Sequence, residues 1–399
     1  MNRSSLLHII EKLERFLERL PATIQKPVKH ELVPLKELFL QQRPPRFVLT
    51  GANKLPIQEV VAILFSSITP PESRNLLMEL FRWQPIEIGD RGTIDLLDAR
   101  GADAATLATI QDELDKQPAD IFLHLADHAS LVRGRSAQID SLAALIGRRG
   151  SSEQEAKVVG IILHDDTSRD ELGHDLDKHS PRPSNARSKL QEALQEEIEV
   201  RKRLLQILEF SVITPGKPGS AESVDSTRFM SLLARELPNA ARIEMVRITR
   251  DREIQSEVAQ MLLKSTTAIC AAIGAQPIPL ADLPILTTLQ LAMVSGIMYI
   301  SGRERSLRAA TEFVGALGVN VGAGMLFRES ARALLKFFPG WGNIVCGVVA
   351  GAGTYGIGRA AIAYFLDGLS LKDARRTYLT SRKKGQPRLP AAQEVESSR

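Results

Sequence analysis

This chain has few cysteines and few aromatic residues, and neither sign of charge is in large excess. Two cysteines, Cys270 and Cys346, occur among 399 residues. Both lie in apolar runs, which favours two buried, reduced thiols over a disulfide framework, and no Cys/His spacing resembles a metal site. Aromatic residues make up only 5% of the chain. That scarcity favours close packing of small side chains over a large aromatic core.

Basic and acidic residues nearly cancel, since 51 Lys and Arg face 47 Asp and Glu. This balance excludes the strongly basic footprint expected of a nucleic-acid-binding protein. The basic excess is local and follows the last apolar run, at Arg375, Arg376, Arg382, Lys383, Lys384 and Arg388. At the N-terminus, Glu, Lys and Arg interrupt the apolar residues, so we expect no secretory signal peptide.

Long uncharged, glycine-rich runs are present instead, and they organise residues 264–367. Fourteen of the 27 glycines lie between Gly296 and Gly368. The runs 283–302 and 337–358 reach the length of about 20 residues that a membrane-spanning helix needs. Pairs such as Gly347 and Gly351 have the spacing that lets helices approach closely in lipid. Polar residues within the runs oppose insertion, so a spanning pair and a soluble Gly/Ala-rich bundle both stay open.

The first 45 residues predict two helices. Apolar residues recur at three- and four-residue spacing over residues 4–20, which is typical of an amphipathic helix. A second helix is expected from Pro27 to Gln41 before Pro44 and Pro45 force an extended chain. These helices would form a collar on the next domain, or a surface for a partner helix or a membrane.

Strands alternate with helices from Arg46 onward, which indicates an α/β domain with a mainly parallel sheet over residues 46–250. The expected strands are Phe47–Leu49, Trp83–Ile88, Thr93–Leu97, Ile121–Leu125 and Val158–Leu163. The expected helices are Ile57–Ile68, Ala104–Lys116, Arg135–Ile146 and Ser184–Phe210. A mobile insertion is expected at residues 165–230, and the alternation over Arg242–Thr249 predicts the last strand.

The order of these elements resembles a small P-loop GTPase of the Era/TrmE-like type. Phosphate binding in that fold needs G-x-x-x-x-G-K-[ST] after the first strand. Gly51 matches the first glycine, but Pro56-Ile57-Gln58 stands where Gly-Lys-Ser/Thr is required. Pro56 also removes an N–H donor from the phosphate-binding loop. The lysine and the Mg²⁺ ligand of the motif are therefore absent.

Of two further GTPase motifs, one is present and the other is mostly lost. Asp98-Ala99-Arg100-Gly101 matches D-x-x-G. In the GTPases that this chain resembles, the Asp of this motif contacts Mg²⁺ through water and the Gly contacts the γ-phosphate. Of the guanine-reading motif, only Asp166 matches. The resemblance thus implies a vestigial GTP site at Gly51, Asp98, Gly101 and Asp166. Because phosphoryl transfer depends on electrostatic stabilisation by the missing groups, we expect no catalytic residues, no bound metal and no GTP/Mg²⁺ cofactor.

Residues 237–373 resemble a bacterial helical domain of unknown function, found in YcjF-like inner-membrane proteins and after some Era-type GTPases. The matching phrases include Gln276–Asp282, Leu286–Gln290, Phe338–Gly342 and Thr354–Ala360. Helices are expected at Asp251–Ala272, Ile285–Ser301, Leu307–Leu317, Gly322–Phe337 and Trp341–Leu366, followed by a basic, disordered tail at residues 374–399. The resemblance implies the cytoplasmic face of the bacterial inner membrane, with a cytoplasmic location as the alternative.

Three functions stay open from the sequence. The first is a non-catalytic, membrane-associated scaffold or regulatory protein with a degenerate GTPase-like α/β domain and an all-α C-terminal domain (residues 251–373). The second is a divergent GTPase with slow or partner-dependent hydrolysis, and the third is a soluble helical regulatory module. A membrane is the expected partner, a protein partner or self-association remains open, and nucleic acid is not expected.

Overall fold

A computed structural model describes residues 22–39, 41–65, 80–127, 137–147, 155–165, 183–212, 224–275, 282–318 and 342–385, together with residues 11, 14, 15 and 18. The chain divides into two compact units. One comprises residues 42–254, and the other comprises residues 1–41 and 255–399. The division near residue 254 falls within a helix, Arg252–Gly274.

The unit of residues 42–254 is built on a six-stranded sheet with the order β2-β3-β1-β4-β5-β6. The strands are β1 Arg46–Gly51, β2 Trp83–Glu87, β3 Thr93–Asp98, β4 Ile121–Asp127, β5 Lys157–Asp165 and β6 Leu204–Val212. All neighbouring strands run parallel except β2, which pairs antiparallel with β3. The predicted α/β class with a mainly parallel sheet is confirmed.

The central strand β1 carries apolar residues on both of its faces, and both faces are buried. Phe47, Val48 and Leu49 are all fully buried in β1, as expected for a parallel strand covered by helices on both faces. The helices described in this unit are α2 Ile57–Leu64, α3 Leu107–Lys116, α4 Ala137–Gly147, α5 Pro183–Glu196, α6 Ile198–Arg203, α7 Val224–Glu236 and α8 Asn239–Thr249. The helix α1 belongs to the other unit and is described below.

Two predicted elements are wrong. Residues 204–212 form β6 rather than the end of a helix from Ser184 to Phe210, because Leu204–Val212 pairs with β5. Arg242–Thr249 is helical, within α8, rather than the last strand. Its alternating residues Ile243 and Met245 are buried together with Ala241, Val246 and Ile248, and this wide buried stripe is compatible with a helix.

The amino-terminal edge of the sheet is held by a half-buried ion pair. The guanidinium of Arg43 donates to both oxygens of Asp120, at 2.7 and 2.6 Å. The Asp120 carboxylate also accepts the backbone N–H of Arg46 at 2.9 Å. Burial raises the pKa of the neighbouring Asp95 carboxyl. The two-pronged geometry fixes the entry of the chain into β1.

The second unit is helical in its described part. Its helices are α1 Ala22–Phe39, α9 Arg252–Gly274, α10 Asp282–Ile300, α11 Leu307–Ala316, α12 Gly342–Phe365 and α13 Leu371–Gly385. α1 begins before the predicted start at Pro27 and ends before Gln41. The expected helices at residues 4–20 and Gly322–Phe337 lie outside the ranges that the structure describes continuously.

Small residues let α12 approach α9 closely. A Cβ atom added at Gly347 would lie 2.8 Å from the backbone oxygen of Ala271 and 2.9 Å from the Cβ of Ala275. One added at Gly351 would lie 3.1 Å from the Cβ of Ala271. The predicted Gly-x-x-x-Gly spacing therefore marks a helix–helix contact inside this unit.

The Gly347 contact predicts opposite effects for two glycine-to-alanine changes in one helix. We expect Gly347→Ala to lower the free energy of unfolding, because its methyl group meets backbone that cannot move aside, and overpacking costs about 1–3 kcal/mol. Gly353 has no heavy atom within 4 Å of an added Cβ. Gly353→Ala should therefore stabilise by up to about 1 kcal/mol through helix propensity. Urea denaturation followed by circular dichroism measures both, and destabilisation by both variants to the same extent would contradict the contact.

Within the described residues, no helix is long and apolar enough to cross a membrane. The sequence left both a spanning pair and a soluble bundle open for the runs 283–302 and 337–358, and the described parts of these runs lie in α10, with 19 residues, and in α12, with 24. Residues 374–385, for which a disordered tail was expected, lie in α13.

Candidate functional site

The ends of β1, β3 and β4 meet at the carboxyl edge of the sheet. The chain leaves β1 for one side of the sheet and returns at β4 on the other, and ligands of open α/β sheets bind at such a switch point. Gly51 ends β1 with a φ of +92°, and an added Cβ would lie 2.1 Å from the carbonyl oxygen of Leu125. Only glycine fits this position. The loop after β1 therefore starts in close contact with β4.

Asp98 and Arg100 form a buried ion pair at this edge. Nε and Nη2 of Arg100 donate to the two oxygens of Asp98, each at 2.8 Å. The third nitrogen, Nη1, donates to the backbone oxygen of Leu55 at 2.8 Å. Asp98 and Arg100 are only 3% and 7% exposed. The guanidinium thus connects the end of β3 to the loop that precedes α2.

Two further contacts hold the same loop. Gly101 has a φ of +70°, and a Cβ added there would lie 2.4 Å from Nδ2 of Asn53. Its backbone N–H donates to the oxygen of Gly51 at 3.4 Å. Nζ of Lys54 lies 2.6 Å from Oδ2 of Asp127 at the end of β4. The positions from 51 to 55 are therefore held against both neighbouring strands.

A buried histidine lies beneath this edge. His124 in β4 is 2% exposed, and its Nδ1 lies 3.1 Å from Oγ1 of Thr50 in β1. On the other side of β4, its register partner is Gly160. Burial lowers the pKa of His124 from 6.5 to about 4. The imidazole is therefore neutral at pH 7.

The structure brings together three of the four residues predicted from the GTPase resemblance. Gly51, Asp98 and Gly101 lie at one edge, whereas Asp166 lies outside the described residues. Sequence reasoning missed Arg100, although it sits inside the D-x-x-G phrase, two residues after Asp98. A basic residue at that spacing was the available signal, because it can turn back on the carboxylate.

At this edge of the sheet, the negative charge of Asp98 is neutralised by Arg100 of the same chain. The resemblance to P-loop GTPases implied that Asp98 would contact a hydrated Mg²⁺. Here both oxygens of Asp98 accept hydrogen bonds from a fixed cation, so a metal would have to displace Arg100. Pro56 precedes α2 without an N–H to donate, although its carbonyl accepts from Glu59 and Val60. Across the described residues, no group of three or more His, Cys, Asp or Glu side chains could hold a metal ion.

Comparison with known proteins finds a match over part of the chain. No protein-family model matches the chain. A stretch of 132 residues is 30% identical to "Magnetosome membrane protein 22" of Magnetospirillum gryphiswaldense (strain DSM 6361 / JCM 21280 / NBRC 15271 / MSR-1). The matched stretch covers 30% of this chain and 66% of that protein. The chain is therefore similar to part of a membrane protein.

Proposed function

We propose that this protein is a non-catalytic, membrane-associated scaffold or regulatory protein whose α/β unit is a degenerate relative of the P-loop GTPases. The ion pair between Arg100 and Asp98 carries the non-catalytic part of the proposal. It places the permanent positive charge of Arg100 against the Asp98 carboxylate. In a GTPase, the carboxylate at this position would face a hydrated Mg²⁺. Arg100 also holds the carbonyl of Leu55, which lies in the loop that would have to surround the phosphates.

The strand arrangement supports the link to the P-loop GTPases. β1 lies in the middle of the sheet, the loop after it leads directly into α2, and D-x-x-G follows the adjacent β3. That is the context in which the P-loop and the D-x-x-G motif would operate together. The proposed degeneracy rests on the side chains found in this context, which are those of Pro56, Gln58 and Arg100.

The membrane part of the proposal rests on the named relative and on the resemblance of residues 237–373 to YcjF-like proteins. We place the protein at the cytoplasmic face of a bacterial inner membrane. The helical unit would provide the membrane-associated part, and the α/β unit would bind partner proteins. A divergent, partner-dependent GTPase and a soluble regulatory module are the competing functions.

Nucleotide titration tests the non-catalytic proposal. We expect no heat of binding above background when GTP or GDP is titrated into the full-length chain, with or without Mg²⁺, up to about millimolar concentrations. The reason is that the lysine and the Mg²⁺ hydroxyl are missing, and both contribute to phosphate affinity. Binding of GTP with micromolar Kd would refute degeneracy. Phosphate release above background that is lost in Asp98→Ala would favour the divergent GTPase.

Fractionation of cells expressing the full-length chain separates the membrane proposal from the soluble module. We expect recovery with the membrane fraction and release by detergent. Full recovery in the soluble fraction without detergent would overturn the membrane part and leave the nucleotide result unaffected. The two parts of the proposal therefore fail independently.

A further inference from the structure

The last described helix, α13, exposes basic and apolar side chains on the same side. Leu371 and Leu379 are 39% and 48% exposed, and Leu369 in the preceding turn is 43% exposed. Lys372, Arg375 and Arg376 are exposed as well. Large apolar residues at these levels of exposure are few among the described residues of this unit, and three of them cluster here.

The orientation of α13 is fixed by its opposite side. Ala374 and Tyr378, four residues apart, are buried. The ring of Tyr378 lies against α12, since a Cβ added at Gly356 would be 3.0 Å from the ring atom Cδ2. Because residues three and four apart share a helix face, Lys372, Arg376 and Leu379 lie together on the side turned away from α12. We call these three residues, with Arg375, the α13 face; Leu371, three residues before the buried Ala374, lies at its margin.

The α13 face carries positive charge that the described residues do not neutralise. No described acidic side chain forms an ion pair with Lys372, Arg375 or Arg376, while the guanidinium of Arg375 lies near Gly318. The acidic residue of the helix, Asp373, accepts a hydrogen bond from the Ser370 hydroxyl at 2.6 Å, and this serine caps the helix start. Asp367, in the turn before α13, is the other exposed acid nearby.

We infer that the α13 face docks on an anionic lipid bilayer, with Leu379 in the headgroup region and its cations at the level of the lipid phosphates. This inference rests on the proposed membrane association and names the surface and lipid class. Fifteen residues make a helix about 22 Å long, which would lie along the bilayer surface. Interfacial helices combine Lys and Arg with exposed apolar side chains in this way. A partner that bound charge alone would give the exposed leucines no apolar environment.

Vesicle sedimentation of the full-length chain tests this inference. We expect the protein to bind vesicles of phosphatidylcholine containing phosphatidylglycerol, and to bind vesicles of phosphatidylcholine alone much more weakly. Lys372→Glu/Arg376→Glu should weaken binding to the anionic vesicles by about 25-fold or more, since each basic residue near an anionic surface contributes about fivefold. Leu379→Ser should weaken it severalfold at unchanged charge.

A matched control has the same change in net charge at another exposed site. Arg187 and Lys189 are exposed on α5, and Arg187→Glu/Lys189→Glu should leave vesicle binding unchanged. All substituted side chains of both double variants are exposed, so circular dichroism should show unchanged helix content. Equal weakening by the two double variants would overturn the inference, because it would indicate an attraction of the whole molecule.

The remaining outcomes separate this inference from the proposed function. Wild-type-like vesicle binding by either α13 variant would overturn docking through this face while membrane association stands. A wild-type chain that binds no vesicles and is recovered in the soluble cell fraction would overturn both. A dimer that dissociates on Lys372→Glu/Arg376→Glu, with vesicle binding unchanged, would assign the face to a second copy of the chain and would also overturn docking on lipid.

Discussion

Arg100→Ala is expected to lower the free energy of unfolding of the α/β unit by about 3–5 kcal/mol, because it leaves a buried carboxylate without its cation. Asp98 is almost fully buried, and Arg100 donates to both of its oxygens. The same substitution frees the carbonyl of Leu55, to which Arg100 also donates.

A fluorescence reporter confines this measurement to the correct unit. The chain has two tryptophans, and Trp83 lies in β2 with its indole N–H donating to the Glu113 carbonyl at 3.3 Å. In a Trp341→Phe background, urea denaturation followed by fluorescence reports on Trp83 alone. Arg100→Lys should lose much of the stability too, because a lysine cannot form the two-pronged contact.

A double-mutant cycle isolates the ion pair. Asp98→Asn combined with Arg100→Ala should destabilise by less than the sum of the single changes, because no buried charge is left unpaired. Lys202→Ala is the matched control, since Lys202 pairs with Glu199 at 3.1 Å on an exposed helix and should cost less than about 1 kcal/mol. Strict additivity of the Asp98 and Arg100 changes would show that the pair does not hold this edge.

The ion pair also explains why the site was predicted only in part. Spacing after a buried strand was enough to place Gly51, Asp98 and Gly101 at one edge of the sheet. The spacing of Arg100 and Asp98 allows the side chain to turn back on the carboxylate, but spacing alone could not show that Nη1 of Arg100 also reaches the Leu55 carbonyl, which is distant in sequence. The same limit applies to Lys54, which pairs with Asp127, 73 residues further along the chain.

Secondary structure was predicted well where the apolar residues followed either the strand period or the helix period. It was predicted poorly where the apolar pattern fitted both. The strands β1 to β5 have apolar runs bounded by turn residues, and their positions agree with the prediction within about two residues. Residues 204–212 follow directly on the helical pattern of α5 and α6, without a proline or glycine to mark the change. Pairing with β5 decides the conformation there, and such tertiary pairing overrides local propensity.

Acidification is expected to destabilise the α/β unit by about 3 kcal/mol through His124 alone. The imidazole has a pKa near 6.5 when unfolded and about 4 when folded, and each unit of difference is worth about 1.4 kcal/mol. The unfolded state therefore takes up the proton first as the pH falls. The contribution of neutral His124 is fully present above about pH 6.5 and is lost progressively as the pH falls to about 4.

Burial is the cause of this shift, so removing the ionisable group should remove the pH step. Thr50→Val/His124→Leu replaces both hydrogen-bonding partners by apolar side chains, a change that can be nearly neutral at pH 7. We expect the double variant to show a shallower loss of stability between pH 6.5 and 4 than the Trp341→Phe parent. Urea denaturation at half-unit pH intervals, with Trp83 fluorescence as the signal, measures the difference.

An exposed histidine provides the control for general acid effects. The side chain of His30 is 86% exposed, so His30→Gln should leave the pH profile of the parent unchanged. Carboxylates such as Asp95 also titrate in acid, but they contribute equally to parent and variants, and only the difference reports on His124. If Thr50→Val/His124→Leu followed the parent profile throughout, the buried imidazole would not be the group whose protonation destabilises the α/β unit.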